Sequence, residues 1–295
     1  MRIGLIDVDG HNFPNLPLMK ISAYHKSQGD FVEFYEPLIG VCEPYDKVFI
    51  SKVFTFTRDY NAPIYSNEVI KGGTGYDLKN KLPSEIETVY PDYSLYDVGS
   101  TAYGFLTRGC PRACEFCVVA EKEGACSIKI ADLSRFWRGQ REIKLLDPNL
   151  LAYPDRTDLL YQLIDSKAYV DFTQGLDIRL LNEEVAELLM QIKIKSIHFA
   201  WDFEKDSEII KQKLKWFKNF SKLDYTKLNV YVLTNFNTDF GFDLERVYTL
   251  RDMGYNPYIM IYDKKTAPKQ CKRLQRYVNN RRIFRSLKSF EEYTG

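Results

Sequence analysis

Between Ala102 and Tyr262 the chain alternates short apolar runs with longer segments whose apolar residues recur at helical spacing. The strand-like runs are Ala102-Tyr-Gly-Phe-Leu-Thr107, Ile143-Lys-Leu-Leu146, Tyr169-Val-Asp-Phe172, Ser196-Ile-His-Phe-Ala200, Leu228-Asn-Val-Tyr-Val-Leu233 and Pro257-Tyr-Ile-Met-Ile-Tyr262. Among the helix-like segments, Asn182-Glu-Glu-Val-Ala-Glu-Leu-Leu-Met190 has a capping Asn, acids in its first turn and an apolar stripe, the pattern of an amphipathic helix. A helix between successive strands carries the chain back to the edge where it began, so the strands come out parallel. This dictates an α/β fold. Taken alone, the pattern permits either a partial barrel of six βα units or an open doubly wound sheet.

Just after the first of these runs stands Gly109-Cys-Pro-Arg-Ala-Cys-Glu-Phe-Cys-Val118, which sets Cys110, Cys114 and Cys117 in a CxxxCxxC triplet. Three thiolates on one short loop can each hold an iron of a cubane cluster, which leaves the fourth iron without a protein ligand. An open metal position is where a substrate coordinates. Zinc sites pair one CxxC with another or with two histidines. Only Cys42, Cys126 and Cys271, each isolated, and histidines 11, 25 and 198 remain here. The isolated cysteines read as buried small hydrophobes and make an auxiliary cluster improbable. A disulfide framework belongs to small secreted chains, and this one has neither a leader-like segment nor an apolar run of membrane-spanning length. The expectation is a cytoplasmic, reducing location.

The triplet, with Phe116 at the aromatic position of CxxxCxΦC, resembles the signature of the radical S-adenosylmethionine (radical SAM) superfamily. The resemblance implies a [4Fe–4S] cluster on Cys110, Cys114 and Cys117, with S-adenosylmethionine chelated at the open iron and cleaved to a 5′-deoxyadenosyl radical that abstracts hydrogen from a substrate. It also implies an electron donor of flavodoxin or ferredoxin type. The implied fold is the partial (β/α)6 barrel, here over residues 101–263. Barrel enzymes place their chemistry at the carboxyl ends of the strands, and on that rule Asp147, Asn149, Gln174, Arg179, Trp201, Asp202, Thr234 and Asn235 are the candidates to line the cofactor pocket, beside Phe116 of the cysteine motif. Arg179 is the candidate for the S-adenosylmethionine carboxylate, because a guanidinium matches that anion as a fork. Capping of helices and closure of turns is the competing role for each of them.

Upstream, over residues 1–76, Arg2-Ile-Gly-Leu-Ile-Asp7, Phe31-Val-Glu-Phe-Tyr35 and Lys47-Val-Phe-Ile-Ser51 read as strands, Leu16 to Gln28 as a helix, and Val69-Ile-Lys-Gly-Gly-Thr-Gly75 as a strand ending in a glycine turn. This small Rossmann-like layer resembles the cobalamin-binding domain that precedes some radical SAM barrels. Asp9-Gly-His11-Asn-Phe-Pro14 supplies the Asp and His of a DxHxxG cobalt-ligating loop but puts Pro where Gly belongs. The favoured expectation is a domain that has lost the corrinoid and packs on the barrel or receives substrate, with cobalamin as the alternative. Residues 77–100 read as the linker.

Formal charge is nearly balanced, with 41 Lys and Arg against 40 Asp and Glu, yet Lys264–Lys288 holds ten bases and no acid. An amphipathic segment over 264–295, packed under the barrel with its cations solvated, gives that pattern and is preferred. A nucleic-acid surface gives it too. No motif identifies the substrate, and the alternatives to the radical SAM hydrogen abstraction are a cobalamin-dependent radical SAM methyl or group transferase and a non-enzymatic iron–sulfur sensor or nucleic-acid binder using the basic tail.

Overall fold

The computed structural model describes residues 1–10 and 12–295. His11, the histidine of the partial DxHxxG match, lies outside the described residues. The chain divides into two compact units, Met1–Tyr103 with Ser134–Arg138, and Gly104–Leu133 with Gly139–Gly295.

The first unit runs β1 (Arg2–Asp7), α1 (Leu16–Ser27), β2 (Phe31–Phe34), α2 (Pro37–Cys42), β3 (Tyr45–Ser51), β4 (Ser66–Gly72) and α3 (Ser84–Glu87). Its sheet is parallel in the order β2-β1-β3-β4. Asn15 starts α1 by accepting from the Leu18 N–H at 3.3 Å, and its Nδ2 donates to Ser51 Oγ at 2.9 Å, which fixes the helix against the end of β3. Leu18 and Ile21 then bury against Ile3, Leu5 and Ile86.

Residues 77–100, expected as a linker, pack into this first unit. Ile86 joins the core, Lys20 pairs with Glu87 at 2.9 Å, Ser22 Oγ donates to Asp92 at 2.6 Å, and Tyr96 Oη donates to Asp7 at 2.7 Å. These anchors are isolated residues whose partners lie far away in sequence, so no periodicity announces them. In the glycine turn, Gly73 sits at φ 96°, and a Cβ there would stand 2.3 Å from the Lys52 carbonyl oxygen. Close backbone approach therefore demands that glycine.

In sequence, the next elements are β5 (Thr101–Gly104), β6 (Thr107–Arg108), α4 (Val119–Glu123), β7 (Ile128–Lys129), β8 (Glu142–Leu145), α5 (Arg156–Ser166), β9 (Tyr169–Phe172), α6 (Glu183–Gln191), β10 (Lys193–Ala200), α7 (Ser207–Ser221), β11 (Leu228–Thr234), α8 (Phe240–Asp252), β12 (Asn256–Ile261), α9 (Lys269–Asn279) and α10 (Arg281–Ser286). The large sheet follows the order β12-β11-β10-β9-β8-β5, and the pairs from β8 to β12 are parallel. Each strand lies beside its predecessor in that series. A doubly wound sheet reverses its strand order at a switch point, so that alternative is excluded. Val170, Phe172, Ile197, Phe199, Val230 and Val232 alternate along β9 to β11 and are fully buried, with Phe199 meeting Phe217 of α7 at 5.4 Å. Each such burial contributes about 1.5–3 kcal/mol relative to exposure.

The basic segment folds as α9 and α10. Cys271, Leu274, Tyr277, Val278 and Phe284 are buried, while Arg276, Arg281, Arg282 and Arg285 are exposed. Asn279 caps the edge strand, accepting from the Ile259 N–H at 2.8 Å and donating to its carbonyl at 3.1 Å. Among the described residues no helix is long and apolar enough to cross a membrane.

Candidate functional site around the cysteine loop

The cysteine loop is closed at its base by the antiparallel pairing of β6 with β7, Thr107 opposite Lys129 and Arg108 opposite Ile128. Above that base Gly109 takes φ 83°, and a Cβ there would stand 2.1 Å from the Cys126 carbonyl oxygen. The Cys110 N–H donates to the Gly124 carbonyl at 3.1 Å, and Glu123 accepts from Arg108 at 2.9 Å and from the Gly109 N–H at 3.4 Å. Ala113 adopts φ 44°, a left-handed conformation uncommon outside glycine, and the Cys117 N–H then returns to the Cys114 carbonyl at 2.9 Å. The loop is thus wound with Cys110 and Cys114 half-buried and Cys117 exposed. Of the other cysteines, Cys42 and Cys126 are exposed, contrary to the expectation of buried small hydrophobes, and Cys271 is buried.

Two residues after β8 support this loop. Asp147, buried at 4 % exposure, accepts from the Leu106 N–H at 3.1 Å, from the Thr107 N–H and from Thr107 Oγ1 at 2.7 Å. Its carboxylate is spent on the turn that leads into the cysteines, and burial pushes its carboxyl up to about 6. Asn149, 3 % exposed, donates from Nδ2 to Cys110 Sγ at 3.6 Å. Its Oδ1 is buried without a hydrogen-bond partner. An orphaned amide oxygen beside a candidate ligand is an expensive arrangement for the chain alone, and a bound group supplying a donor would relieve it.

On the other side of the loop, Arg112, Ala113, Cys114 and Glu115 face Arg179, Phe203, Lys205 and Asp206 across a cleft of ≈ 300 Å³. Arg179 does not present a free fork: Nε donates to Asp177 at 2.8 Å, Nη2 to Asp177 at 3.3 Å, and Nη1 to Asp206. Asp202 accepts from the Leu233 N–H at 3.1 Å, and burial pushes its carboxyl up to about 6. Burial, then the charge of Asp202, push the Cys114 thiol up to about 11, and burial also raises Cys117. Phe116 meets Phe203 at 5.7 Å and Phe236 at 5.5 Å, and Phe236 meets Tyr262 at 4.8 Å. These aromatics follow β10, β11 and β12, so the three strand ends build one wall against the loop.

The remaining candidates divide. Asn235 sits at φ 63° next to Phe236 and donates to the Asp263 carbonyl at 3.4 Å. Trp201 and Thr234 are fully buried, the indole donating to Ser207 Oγ at 3.1 Å and the threonine hydroxyl to the Met260 carbonyl at 3.4 Å. Both act within the fold. Buried Arg246 gathers the same strand ends, donating to the Trp201 carbonyl at 2.7 Å and the Leu233 carbonyl at 2.8 Å. Gln174 is exposed just past β9.

Sequence reasoning did not find Asp177, Asp206, Phe203, Phe236 or Tyr262. All five stand on the loops that follow β9 to β12, so position alone could have flagged them, but their pairing with the cysteine loop could not be read from spacing. Among the described residues no three His, Cys, Asp or Glu side chains converge as the ligands of a metal ion. Ligands of a cubane stand around a body of several atoms and so lie farther apart than ligands of one ion. Neither protein-family models nor curated proteins show a match to this chain.

Proposed function

We propose that this chain is a radical SAM enzyme whose Cys110, Cys114 and Cys117 hold a [4Fe–4S] cluster, with S-adenosylmethionine in the cleft beside Cys114. The observation that carries the proposal is the convergence on one loop of the three cysteines, the orphaned Oδ1 of Asn149 and the ≈ 300 Å³ cleft. When bound, the cluster and S-adenosylmethionine would together supply a 5′-deoxyadenosyl radical for hydrogen abstraction, with an electron from a flavodoxin- or ferredoxin-type donor.

The chain's own residues have separable tasks in this scheme. Gly109 and Glu123 hold the loop entry. Asn149 orients the Cys110 sulfur. Phe116, Phe203 and Phe236 exclude water beside the loop, which strengthens every polar contact made there. Lys205 and Arg179 place positive charge on the cleft opposite Cys114, suited to a carboxylate. The consecutive strand order supports a partial (β/α)6 barrel, since right-handed crossovers between neighbours put every helix on one face of the sheet. The parallel β2-β1-β3-β4 layer supports a Rossmann-like, cobalamin-binding-like first domain.

Cobalamin itself has no part in the proposal. Asp9, which would orient a cobalt-ligating histidine, accepts from the Val53 N–H at 2.5 Å and from Thr57 Oγ1 at 2.6 Å. Gly73 and Gly75 of the GGTG turn are pressed against Lys52, where a Cβ would stand 2.3 Å from its carbonyl oxygen and 2.7 Å from its Cγ respectively, so they open no groove for a nucleotide tail.

The test is anaerobic reconstitution with iron and sulfide, followed by metal analysis, absorbance and assay of 5′-deoxyadenosine. The wild type is expected to bind close to four irons and to cleave S-adenosylmethionine, and Ala at 110, 114 or 117 to abolish both while Cys42→Ala retains both. A triple variant of the loop cysteines that still bound four irons and cleaved S-adenosylmethionine would refute the assignment.

A further inference from the structure

The glycine turn of the first unit encloses a lysine. Lys52 follows β3 directly, and the turn after β4 folds back over it: the Lys52 N–H donates to the Gly72 carbonyl at 3.0 Å, and the Gly75 N–H donates to the Lys52 carbonyl at 2.9 Å. A Cβ at Gly75 would stand 2.7 Å from Lys52 Cγ and 3.0 Å from the Phe54 carbonyl oxygen. Glycine at 73 and at 75 thus lets the backbone cover a lysine stem where any side chain would collide. Lys52 is left 7 % exposed.

The ammonium at the end of that stem finds no acceptor. Among the described residues no carboxylate stands within ion-pair reach of Lys52 Nζ and no oxygen accepts from it, while the atom itself stays open to solvent. Beside it lies the face of Tyr76, with Nζ 5.5 Å from the ring centroid, and Lys71 Nζ stands 5.1 Å from the same centroid. The two acids acting on Tyr76 are committed elsewhere. Asp59 accepts from Tyr76 Oη and lies 3.7 Å from Lys71 Nζ, and Asp9 accepts from the Val53 N–H at 2.5 Å and from Thr57 Oγ1 at 2.6 Å. A ring face attracts a cation but takes none of its three N–H donors. A covered stem with a bare charged head costs more than an aliphatic residue in its place. The position is also where an open parallel sheet receives its ligand. In the order β2-β1-β3-β4 the chain turns from one side of β1 to the other, and Lys52 stands at the carboxyl end of β3, beside that switch.

We infer that Lys52, with Lys71 beside it, forms an anion site in the first unit, and that its ligand is the phosphate group of a small phosphorylated molecule. An ammonium is a compact point charge suited to a tetrahedral phosphate, whereas a planar carboxylate is matched by the fork of an arginine. A long polyanion is disfavoured, because residues 1–109 hold ten Lys and Arg against fourteen Asp and Glu. The site is independent of the cysteine loop and of the function proposed above.

Inorganic phosphate and acetate are titrated calorimetrically, at matched ionic strength in chloride, into the full-length wild type, Lys52→Met, Lys71→Gln and Lys79→Gln, the last an exposed lysine outside the cluster. Phosphate is expected to bind the wild type, with acetate about tenfold or more weaker. Lys52→Met should lower phosphate affinity about tenfold or more, as loss of a charge-assisted bond requires, and Lys71→Gln severalfold, while Lys79→Gln leaves it unchanged. Thermal unfolding gives a second readout. Lys52→Met keeps an apolar stem and removes the bare ammonium, so without phosphate it is expected to melt at or above the wild-type temperature. Added phosphate should raise the melting temperature of the wild type but not of that variant. Absence of phosphate binding, equal affinity for acetate, phosphate affinity unaltered in both Lys52→Met and Lys71→Gln, or a Lys52→Met protein that melts well below the wild type would overturn the inference.

Discussion

Asp177 accepts from Arg112 Nε at 2.5 Å and from Arg179 Nε at 2.8 Å, so one carboxylate joins the cysteine loop to the turn after β9. Its side chain is 5 % exposed. Burial alone would raise its carboxyl, but the two guanidiniums prevail and hold it below the usual aspartate range. The stability it contributes is therefore present above the ordinary aspartate pKa and is lost as pH falls through the lowered native value.

Removing that carboxylate takes the Asp177 tie from Arg112 and leaves Arg179 held by Asp206 at the edge of the cleft. Asp177→Ala is expected to cost about 2–3 kcal/mol in urea unfolding near pH 7. It should also lower iron incorporation, because Arg112 no longer fixes the segment between Cys110 and Cys114. Asp177→Asn should fall between the two. A variant with wild-type unfolding midpoint and full iron content would show that the tie is ornamental.

Arg179 reached the candidate list as a free fork for a carboxylate, but its three nitrogens are already directed at Asp177 and Asp206. To receive S-adenosylmethionine it must release Asp206, the more exposed of its two acids at 24 %. Arg179→Ala should weaken S-adenosylmethionine binding by roughly tenfold to a hundredfold, the worth of a charge-assisted contact of about 1.5–3 kcal/mol. Asp206→Asn should do the opposite and strengthen it severalfold. Calorimetry on the reconstituted protein reads both, and weaker binding in Asp206→Asn would mean that Asp206 shapes the cleft rather than competes for Arg179.

Asp147 gives a prediction in pH. Its carboxyl, pushed by burial up to about 6 against an unfolded value of 3.8, holds a proton in the native state where the unfolded chain has lost it. Stability from this group is thus fully present below pH 4 and declines as pH rises through about 6, by up to about 1.4 kcal/mol per unit crossed. Asp147→Asn lacks that slope. The variant will be less stable overall, because its amide turns a donor toward the Leu106 and Thr107 N–H groups. Its deficit relative to the wild type should nevertheless shrink between about pH 4.5 and about pH 6.5, the window between the unfolded and native pKa values. Urea unfolding at those two pH values decides the matter, and a constant deficit would place the Asp147 pKa in the ordinary range.

The six strands of the large sheet were legible because each is a short apolar run with a helical segment after it, and the structure places Ile143, Val170, Ile197, Val230 and Ile259 in its core. The cysteine loop was legible as a motif, but its closure was not: β6 and β7 are two residues each, too short for any period to register. The strap over 77–100 escaped for a different cause. Its hold on the first unit comes from Ile86, Asp92 and Tyr96 acting singly on partners near the amino terminus. Asp177 and Phe236 were likewise invisible, since an ion pair between positions 112 and 177 or a ring contact between 116 and 236 leaves no mark in local sequence.

The basic segment yields the last prediction, because its cations are not equivalent. Arg281 Nη2 donates to Asn229 at 2.6 Å, Arg285 Nη2 donates to Asn256 at 2.8 Å and to the Tyr255 carbonyl at 3.2 Å, and Arg273 lies over the Phe290 ring at 4.6 Å. Arg281 and Arg285 thus fasten α10 to the starts of β11 and β12 although their surfaces are exposed like those of Arg276 and Arg282, and Arg273 ties α9 to the segment after α10. Neutralising Arg276 and Arg282 is expected to leave stability within about 0.5 kcal/mol, and neutralising Arg281 and Arg285 to cost about 1–3 kcal/mol. Leu274→Asp or Phe284→Asp, each placing a charge on a fully buried face, should cost several kcal/mol, on the order of 3–5. If the segment were instead a polyanion site, RNA or DNA binding would fall steeply with salt, and each lost phosphate contact would flatten the slope by about 0.7–0.9. Urea unfolding of these variants, with nucleic-acid binding at two salt concentrations, separates the outcomes. Strong salt-sensitive binding that disappears with Arg276 and Arg282 would show that the exposed cations serve a partner, while stability losses confined to Arg281, Arg285, Leu274 and Phe284 follow from a segment whose task is to cover the edge of the sheet.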